Sequence, residues 1–239
     1  MQNKKKILIF GLNNTGQKIY TRLRREKKYL LKLITKKKYS QKKIYSFNPD
    51  LIFSLGYRQK IESDVLNCAK IGAYNMHKSL LPLHSGANPI FYTILKNTEA
   101  GHTIHEMNEK IDSGNIVFQK KIKYDFSFDA KKLYNLIEKH QVNDFFIFLK
   151  KIGKKSIKTK KNKFNFRNYN FLKNFKSFKE INFFRKNKYF KTINLLRALN
   201  FKPFTNAVIK IDKKYFSINI EIKEIKKLKK KKYNKIKEY

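Results

Sequence analysis

The chain is organised around residues 71–117, which read IGAYNMHKSLLPLHSGANPIFYTILKNTEAGHTIHEMNEKIDSGNIV. This stretch contains four of the five histidines, four of the eight glycines and two of the four prolines. It carries three lysines against four acidic residues, although the whole chain of 239 residues has a formal net charge of +40. Titratable side chains, turn-forming residues and a balanced charge in one place indicate that the chemistry of this protein is concentrated here.

Short apolar runs predict buried strands on the N-terminal side of this stretch and inside it. They are KILIF at residues 6–10, LIFSL at residues 51–55 and AYNM at residues 73–76. Gly11 and Gly56 end the first two runs, as glycines do at the strand-to-helix turns of a parallel sheet.

Helical periodicity follows each of the first two runs. The apolar positions that predict the first helix are Ile19, Leu23 and Leu30, and residues 60–69 predict the second. Alternating strands and helices predict an α/β fold of the Rossmann-like type, in which ligands bind beyond the carboxyl ends of the strands. Asn75 and His77 lie at such an end.

The second half of the chain predicts fewer elements. In order, these are an edge strand at 116–124, an amphipathic helix at 129–149 capped near 127–129, a short helix at 192–199, and a β-hairpin of strands 208–211 and 216–222 around a turn at 212–214. Two aromatic clusters, at residues 145–148 and 171–184, are predicted to belong to the core rather than to stack on nucleic-acid bases.

These patterns divide the chain into four parts. They are a Rossmann-like domain at 1–150, a basic connector at 151–178, a subdomain of one helix and the hairpin at 179–222, and a lysine-rich tail at 223–239. Residues 150–239 hold thirty basic and five acidic residues, so most of the positive charge lies outside the presumed site. Residues 150–170 are predicted to be a mobile boundary.

Several classes of protein are disfavoured by composition. The single cysteine, Cys68, excludes a disulfide framework and favours a reducing compartment. The apolar run at residues 7–10 is too short for the core of a signal peptide, and no run approaches the roughly 18 apolar residues of a membrane span. We therefore predict a cytoplasmic protein that does not contact a membrane.

The charge of +40 has two interpretations that the sequence leaves open. Lysines that face phosphates release counterions and favour binding to nucleic acid or nucleotides. Abundant Lys, Asn, Ile, Phe and Tyr with scarce Gly, Pro and Trp are also typical of AT-rich coding DNA.

Three side chains in the central stretch suit the transfer of an acyl group to an amine. Asn75 supplies an amide donor, His77 titrates near neutral pH, and Asp112 precedes a glycine turn and can stabilise a charged imidazole. Donors of this kind stabilise the oxyanion of a tetrahedral intermediate, while a base accepts the proton of the amine. A metal site at His102, His105 and Glu106 is disfavoured, because the spacing HExxH is absent.

Four motifs in order resemble the signature of formyltransferases that use N10-formyltetrahydrofolate. They are NMHKSLLP at 75–82, GANP at 86–89, GHTIH at 101–105 and IDSG at 111–114. The resemblance implies a Rossmann-like formyltransferase fold with a small C-terminal β-hairpin region, and residues 1–150 as its catalytic domain. Lys78 departs from the family pattern, in which proline or a small residue is common.

The resemblance also implies roles for individual residues and no metal. Asn75 and His77 polarise the formyl carbonyl, and Asp112 assists the proton transfer by His77. The residues implied to contact N10-formyltetrahydrofolate are Gly56, Tyr57, Ile61, Ser79, Leu81 and Asp112. The residues implied to contact the acceptor substrate are Asn88, Pro89, Thr103 and His105.

Within this family the chain is most similar to the sugar N-formyltransferases. Residues 88–92 (NPIFY) and 103–105 (TIH) resemble that branch, and the chain leaves no room for the barrel domain of the tRNA enzymes. The implied acceptor is a nucleotide-linked amino sugar, and we expect a dTDP-linked 4-amino-4,6-dideoxyhexose for cell-surface polysaccharide such as O-antigen. The alternatives are a methionyl-tRNA formyltransferase and a basic nucleic-acid-binding protein on an inactive formyltransferase fold. The hairpin at 208–222 predicts an edge for a homodimer.

Overall fold

A computed structural model of the protein describes residues 4–152, 157–176, 189–204, 207–211 and 214–224. The main sheet has six strands in the order β2-β1-β3-β4-β5-β6. They are β1 (Lys5–Phe10), β2 (Tyr29–Ile34), β3 (Leu51–Ser54), β4 (Gly72–His77), β5 (Ala100–Glu106) and β6 (Ile116–Ile122). Strands β2, β1, β3 and β4 are parallel, whereas β5 and β6 each run antiparallel to the preceding neighbour.

Helices cover both faces of this sheet. They are α1 (Asn14–Arg24), α2 (Gln41–Phe47), α3 (Ser63–Asn67), α4 (Pro89–Leu95), α5 (Ala130–Lys151), α6 (Leu172–Lys176) and α7 (Tyr189–Leu199). A 3₁₀ helix, Phe166–Asn168, lies before α6, and strands β7 (Val208–Ile211) and β8 (Lys214–Ser217) form an antiparallel hairpin. The predicted α/β fold with a small C-terminal hairpin is confirmed.

The two faces of β1 and β3 enter different parts of the core, because successive side chains of a strand point to opposite faces. Ile7 and Phe53 pack with α1 and α5, whereas Leu8 and Ile52 pack with α2 and α3. The aromatic cluster at 145–148 lies on α5. Its Phe145, Phe146 and Phe148 are buried in the same part of the core as Ile7 and Phe53, as predicted.

Some predicted boundaries are wrong. Leu30 belongs to β2 and not to the first helix, which ends at Arg24, because residues 29–34 pair in parallel with β1 along its whole length. The helix predicted over 60–69 is limited to Ser63–Asn67, and the second strand of the hairpin runs from Lys214 to Ser217 rather than over 216–222. Residues 212–213 of the predicted turn lie outside the described part.

Residues 157–176 of the predicted connector lie against the main sheet. The backbone of Lys160 exchanges two hydrogen bonds of 2.8 Å with Ile116 on β6. The prediction that the 171–184 cluster belongs to the core is wrong for Phe171, which is 38% exposed, and residues 177–184 lie outside the described part. So does the tail from residue 225 onward.

The helices of the described ranges include no candidate for a membrane span. None of these helices combines the length and the apolar character that a bilayer span requires.

Candidate active site

The end of β4 places Asn75 and His77 on one face of the sheet. They are two residues apart on the strand, so their side chains point the same way. Strand β5 runs antiparallel beside them, with His105 opposite Asn75 and Thr103 opposite His77. The loop after β5 then returns Asp112 to this face with a φ of 56°, a left-handed conformation that Asp tolerates better than most residues.

Asn75, His105 and Asp112 form one hydrogen-bonded group. The Nδ2 of Asn75 lies 3.1 Å from Nε2 of His105 and 3.3 Å from Oδ1 of Asp112. His105 donates its Nδ1–H to the backbone carbonyl of Glu106 at 2.7 Å, and its Nε2 also lies 3.3 Å from Oδ1 of Asp112. The Asn75 amide donates to Oδ1 of Asp112, so its orientation is determined by its neighbours.

His77 lies between a backbone carbonyl and a carboxylate. Its Nε2–H donates to the carbonyl of His84 at 3.0 Å, and its Nδ1 lies 3.5 Å from Oδ2 of Asp112. The second distance is longer than a hydrogen bond, so Asp112 acts on the ring mainly as a charge. When both nitrogens of His77 carry protons, one faces the carbonyl and the other faces the carboxylate.

Asp112 is held as an anion although it is almost fully buried. Burial alone raises the pKa of its carboxyl, but the charge of His77, the contact with His105 and the backbone N–H of Gly86, which lies 2.8 Å from Oδ2, together lower the pKa below its ordinary value. Asp112 therefore places a permanent negative charge beside His77.

The turn between β4 and α4 frames the site. The hydroxyl of Ser79 donates to the carbonyl of Leu83 at 2.6 Å, and Thr103 accepts from the N–H of Leu81 at 3.1 Å while donating to the carbonyl of Ser79 at 2.7 Å. Ser79, Leu81 and Thr103 are all buried. They hold the turn in place, and their implied contacts with substrates stay predictions, as does that of His105.

Gly86 occupies a position that a side chain would not fit. Its φ is 89°, and a Cβ would lie 2.5 Å from the carbonyl oxygen of Asn170. Asn88 follows in the left-handed region at the start of α4, with Pro89 as the first helical residue. These two residues thus border the face that carries Asp112.

Three residues predicted to contact N10-formyltetrahydrofolate, along its pterin ring, follow β3. They are Gly56, Tyr57 and Ile61. Gly56 has a φ of 82° and faces Asn13 closely, and Tyr57 donates its hydroxyl to the carbonyl of Lys36 at 3.0 Å. Ile61 is buried. The segment is thus a defined loop at the carboxyl end of β3, next to the end of β4, where an α/β sheet binds ligands.

Sequence reasoning missed one residue that contacts the site from the connector. Asn162 donates its Nδ2–H to the backbone carbonyl of Asp112 at 2.9 Å. The lysine- and asparagine-rich composition around Asn162 carried no signal for this contact, which joins residues fifty positions apart.

A second missed group lies behind His77. Lys78 donates to Oε1 of Gln141 at 2.5 Å and to the hydroxyl of Thr15 at 2.8 Å, and Nε2 of Gln141 lies 3.5 Å from the carbonyl of His77. Burial lowers the pKa of Lys78 to about 8, although the charge of Glu138 opposes this shift. The departure at Lys78 was visible in the sequence, but its partners on α1 and α5 were not.

Buried polar atoms without a hydrogen bond gather around this face. Among the described residues there are five such side-chain atoms, and three of them belong to Asn88, Asn162 and Asn170. A buried amide without a partner is costly, and ligand-binding clefts are a common reason for one. Within the same ranges, no three side chains of His, Cys, Asp or Glu are grouped so that they could hold a metal ion.

Comparison with known proteins identifies the class. The chain belongs to the formyl transferase family, whose model matches residues 3–147, more than half of the chain. Among individual relatives, the methionyl-tRNA formyltransferase of Ehrlichia chaffeensis is 46% identical over 88 residues, which are 36% of this chain and 29% of that protein. The chain spans between 13% and 32% of the length of the curated relatives that it matches.

Solved structures share the fold over most of the chain. A 4-N formyltransferase from Francisella tularensis has a TM-score of 0.81 at 21% identity, covering 92% of this chain and 99% of that one. The formyltransferase PseJ from Anoxybacillus kamchatkensis, in complex with UDP-4,6-dideoxy-4-formamido-L-AltNAc and tetrahydrofolate, has a TM-score of 0.60 at 25% identity, covering 72% of this chain and 88% of that one. The predicted family and its fold are thus confirmed.

Proposed function

We propose that this protein transfers the formyl group of N10-formyltetrahydrofolate to the amino group of a nucleotide-linked amino sugar. The observation that carries the proposal is the convergence of Asn75, His77 and ionised Asp112 on one face. A dTDP-linked 4-amino-4,6-dideoxyhexose, as a precursor of cell-surface polysaccharide, is the acceptor that we favour.

Asn75 and His77 act on the formyl oxygen. The acceptor nitrogen forms a bond to the formyl carbon, the bond from this carbon to N10 breaks, and one proton moves from the acceptor nitrogen to N10. Asn75 donates an N–H to the oxygen on which negative charge develops, and one preorganised donor of this kind is worth about 10²–10³ in rate. His77 carries the moving proton, and Asp112 stabilises the ring while it is charged.

Residues outside this trio fit the two substrates. The loop from Gly56 to Ile61 offers backbone groups to the pterin, and Gly56 cannot carry a side chain without meeting Asn13. Asn88, at the start of α4, has a buried Nδ2 without a hydrogen-bond partner among the described residues, and this group can donate to the acceptor.

Two observations support the sugar branch. The fold of the Francisella tularensis enzyme is matched over almost the whole of both chains, and the Anoxybacillus kamchatkensis enzyme was solved with a nucleotide-linked 4-formamido sugar. The methionyl-tRNA formyltransferase of Ehrlichia chaffeensis favours the second candidate, tRNA formylation, but the match covers 29% of that protein.

One experiment separates these candidates. The purified protein is incubated with N10-formyltetrahydrofolate and, in parallel, with dTDP-4-amino-4,6-dideoxyglucose or methionyl initiator tRNA. We expect release of tetrahydrofolate and a formamido sugar in the first reaction. Formyl-methionine in the second reaction alone contradicts the sugar assignment, and RNA binding with no transfer in either contradicts enzymatic function.

We also propose that β7 and β8 form the contact of a homodimer. Ile211, Tyr215 and Phe216 are exposed on this two-stranded hairpin, and a small sheet with open edges needs a partner. A dimeric mass in light scattering at micromolar concentration is expected. A monomeric mass contradicts this contact.

A further inference from the structure

Three aromatic side chains border the candidate site and take no part in the proposed reaction. They are Phe166, Tyr169 and Phe171, and we refer to them as the aromatic platform. The rings of Phe166 and Tyr169 are nearly parallel, with centroids 5.8 Å apart and 12° between the planes. Phe171 meets both edge-on, at 5.7 Å from Phe166 and 4.9 Å from Tyr169.

The platform is not part of the hydrophobic core. Phe166 is 65% exposed and Phe171 is 38% exposed. Fully burying a phenylalanine is worth about 1.5–3 kcal/mol, so leaving two of them in solvent forgoes a considerable stabilisation. Exposed aromatic side chains that lie together beside a site are typical of a surface that binds a ligand.

Backbone contacts join the platform to the catalytic face. Asn170 donates its N–H to the carbonyl of Ser85 at 2.9 Å and accepts from the N–H of Ala87 at 2.8 Å. Gly86 lies between Ser85 and Ala87, and a Cβ on Gly86 would lie 2.9 Å from the ring of Tyr169. Gly86 also donates its N–H to Asp112, so the platform is fixed one residue away from a group of the proposed reaction.

Electrostatics agrees with this proximity. Burial raises the pKa of Tyr169, and the charge of Asp112 raises it further. The ring of Tyr169 therefore lies close enough to Asp112 to be influenced by its charge.

The segment that carries the platform is uniformly basic. Residues 157–176 include seven lysines and arginines and no acidic residue. Among them, the Nζ of Lys173 lies 5.7 Å above the ring of Phe171. Exposed planar rings on a basic segment, with one lysine over a ring, are complementary to a ligand that combines an aromatic base with phosphates.

We propose that the aromatic platform stacks on the nucleobase of the acceptor, while the basic residues of 157–176 hold its phosphates. This inference rests on the proposed function, because it assigns a binding site to the nucleotide part of that acceptor. The pterin is the other planar group of the reaction, but its predicted segment follows β3, whereas the platform is attached to the turn after β4. The platform thus assigns the base and the pterin to separate positions.

The chain offers a matched control for the test. Phe204 is 64% exposed, as Phe166 is 65% exposed, but it contacts Phe201 next to the hairpin and not the 85–87 turn. Phe166→Ala and Phe204→Ala thus remove equal exposed ring area. Dissociation constants for dTDP and for inorganic pyrophosphate are measured by calorimetry on both variants and on the wild type.

We expect Phe166→Ala to weaken dTDP binding about tenfold, the typical effect of losing one base–aromatic stack. Pyrophosphate, which has no base, should bind all three proteins equally, and tetrahydrofolate affinity should stay at the wild-type value. A Phe171→Ala variant should show the same selective loss, which guards against a local change of structure at Phe166.

Three results overturn the platform. They are an equal loss of dTDP affinity in Phe166→Ala and Phe204→Ala, a loss of tetrahydrofolate affinity instead of dTDP affinity, and a change of molecular mass in light scattering without a change in dTDP affinity. If the wild type forms a formamido sugar while one of these results holds, the proposed function stands and the platform is wrong. If the wild type transfers no formyl group to any nucleotide-linked amino sugar, both fail.

Discussion

Among the three histidine–aspartate pairs of the described residues, two have their histidines on opposite faces of neighbouring strands. His77 at the end of β4 lies 3.5 Å from Asp112, and His102 on β5 lies 2.8 Å from Asp144 of α5. The pairs face opposite sides of the sheet, because Thr103 and not His102 is opposite His77 in the β4–β5 register. By distance alone, the second pair is the better hydrogen bond.

Their surroundings differ more than their distances. The ring of His102 packs against Phe118, and burial lowers its pKa to about 4 although Asp144 opposes the shift, so a neutral ring donates to the carboxylate. His77 instead shares Asp112 with Asn75 and His105. A histidine–aspartate pair therefore does not define a site; the convergence of further polar groups on the pair does.

Replacing each histidine in turn is the strongest test of this comparison. We expect His77→Gln to lower kcat for formyl transfer by about 10²–10⁴, the usual contribution of a proton-transferring group. His102→Gln should keep kcat within about threefold, because a fully packed ring cannot reach a substrate. Steady-state kinetics on folded variants measures both, and a comparable loss in the two variants contradicts the assignment.

Replacing the carboxylates should separate the pairs in the same way. Asp112→Asn removes the charge beside His77 and replaces one of the two oxygens that accept from Asn75 and Gly86 with an NH₂ donor, so we expect a loss of about 10²-fold in kcat. Asp144→Asn retains an oxygen that can accept from His102, and its kcat should be close to that of the wild type. Equal kcat in Asp112→Asn and the wild type would remove Asp112 from the mechanism.

The sequence predicts those strands whose buried side chains are apolar. Strand β3 and the end of β1 are buried without interruption, and their runs of Ile, Leu and Phe were sufficient. Strand β5 is buried over its first six residues but reads AGHTIHE. Its histidines and threonine are stabilised by partners such as Asp144 and Ser79, which lie far away in the sequence and leave no local pattern.

The candidate site likewise has residues that the sequence predicts and residues that it does not. The positions of Asn75 and His77 follow from the end of a predicted strand, and the motifs placed Asp112 beside them. That Asn162 and Tyr169 reach the same face depends on how residues 157–176 fold back over β6 and the 85–87 turn. A lysine-rich segment without periodicity gives no basis for predicting such contacts.

A smaller effect should appear in the pH dependence of stability. Burial lowers the pKa of His84, like that of His102, to about 4. The charged groups that face the ring of His84 are Lys96 and His77. Those that face the ring of His102 are Asp144, Lys120 and Lys78. Below about pH 6.5 the unfolded chain gains a proton at each position, while the folded chain does not. Each histidine should therefore cost about 2 kcal/mol of unfolding free energy by pH 5.

The same measurement distinguishes the two pairs. Urea unfolding between pH 7.5 and 5 is expected to show a steeper loss of stability for the wild type than for His102→Gln, which lacks one of the two groups. His105→Gln serves as a control for replacing a buried histidine of the site. An unchanged slope in His102→Gln would mean that His102 is already charged in the folded protein.

The smallest effect concerns Lys78, which lies between the two pairs. Through Gln141 it supports the carbonyl of His77, and its charge also opposes protonation of His102. Lys78→Met should lower kcat by about two- to tenfold without a change in KM, since a lost hydrogen bond behind the site is worth about 0.5–1.5 kcal/mol. Because the lowered pKa of Lys78 lets the folded protein release its proton before the unfolded chain does, the stability of the wild type relative to Lys78→Met should rise from pH 8 to 10. A change in KM with unchanged kcat would place Lys78 in substrate binding instead.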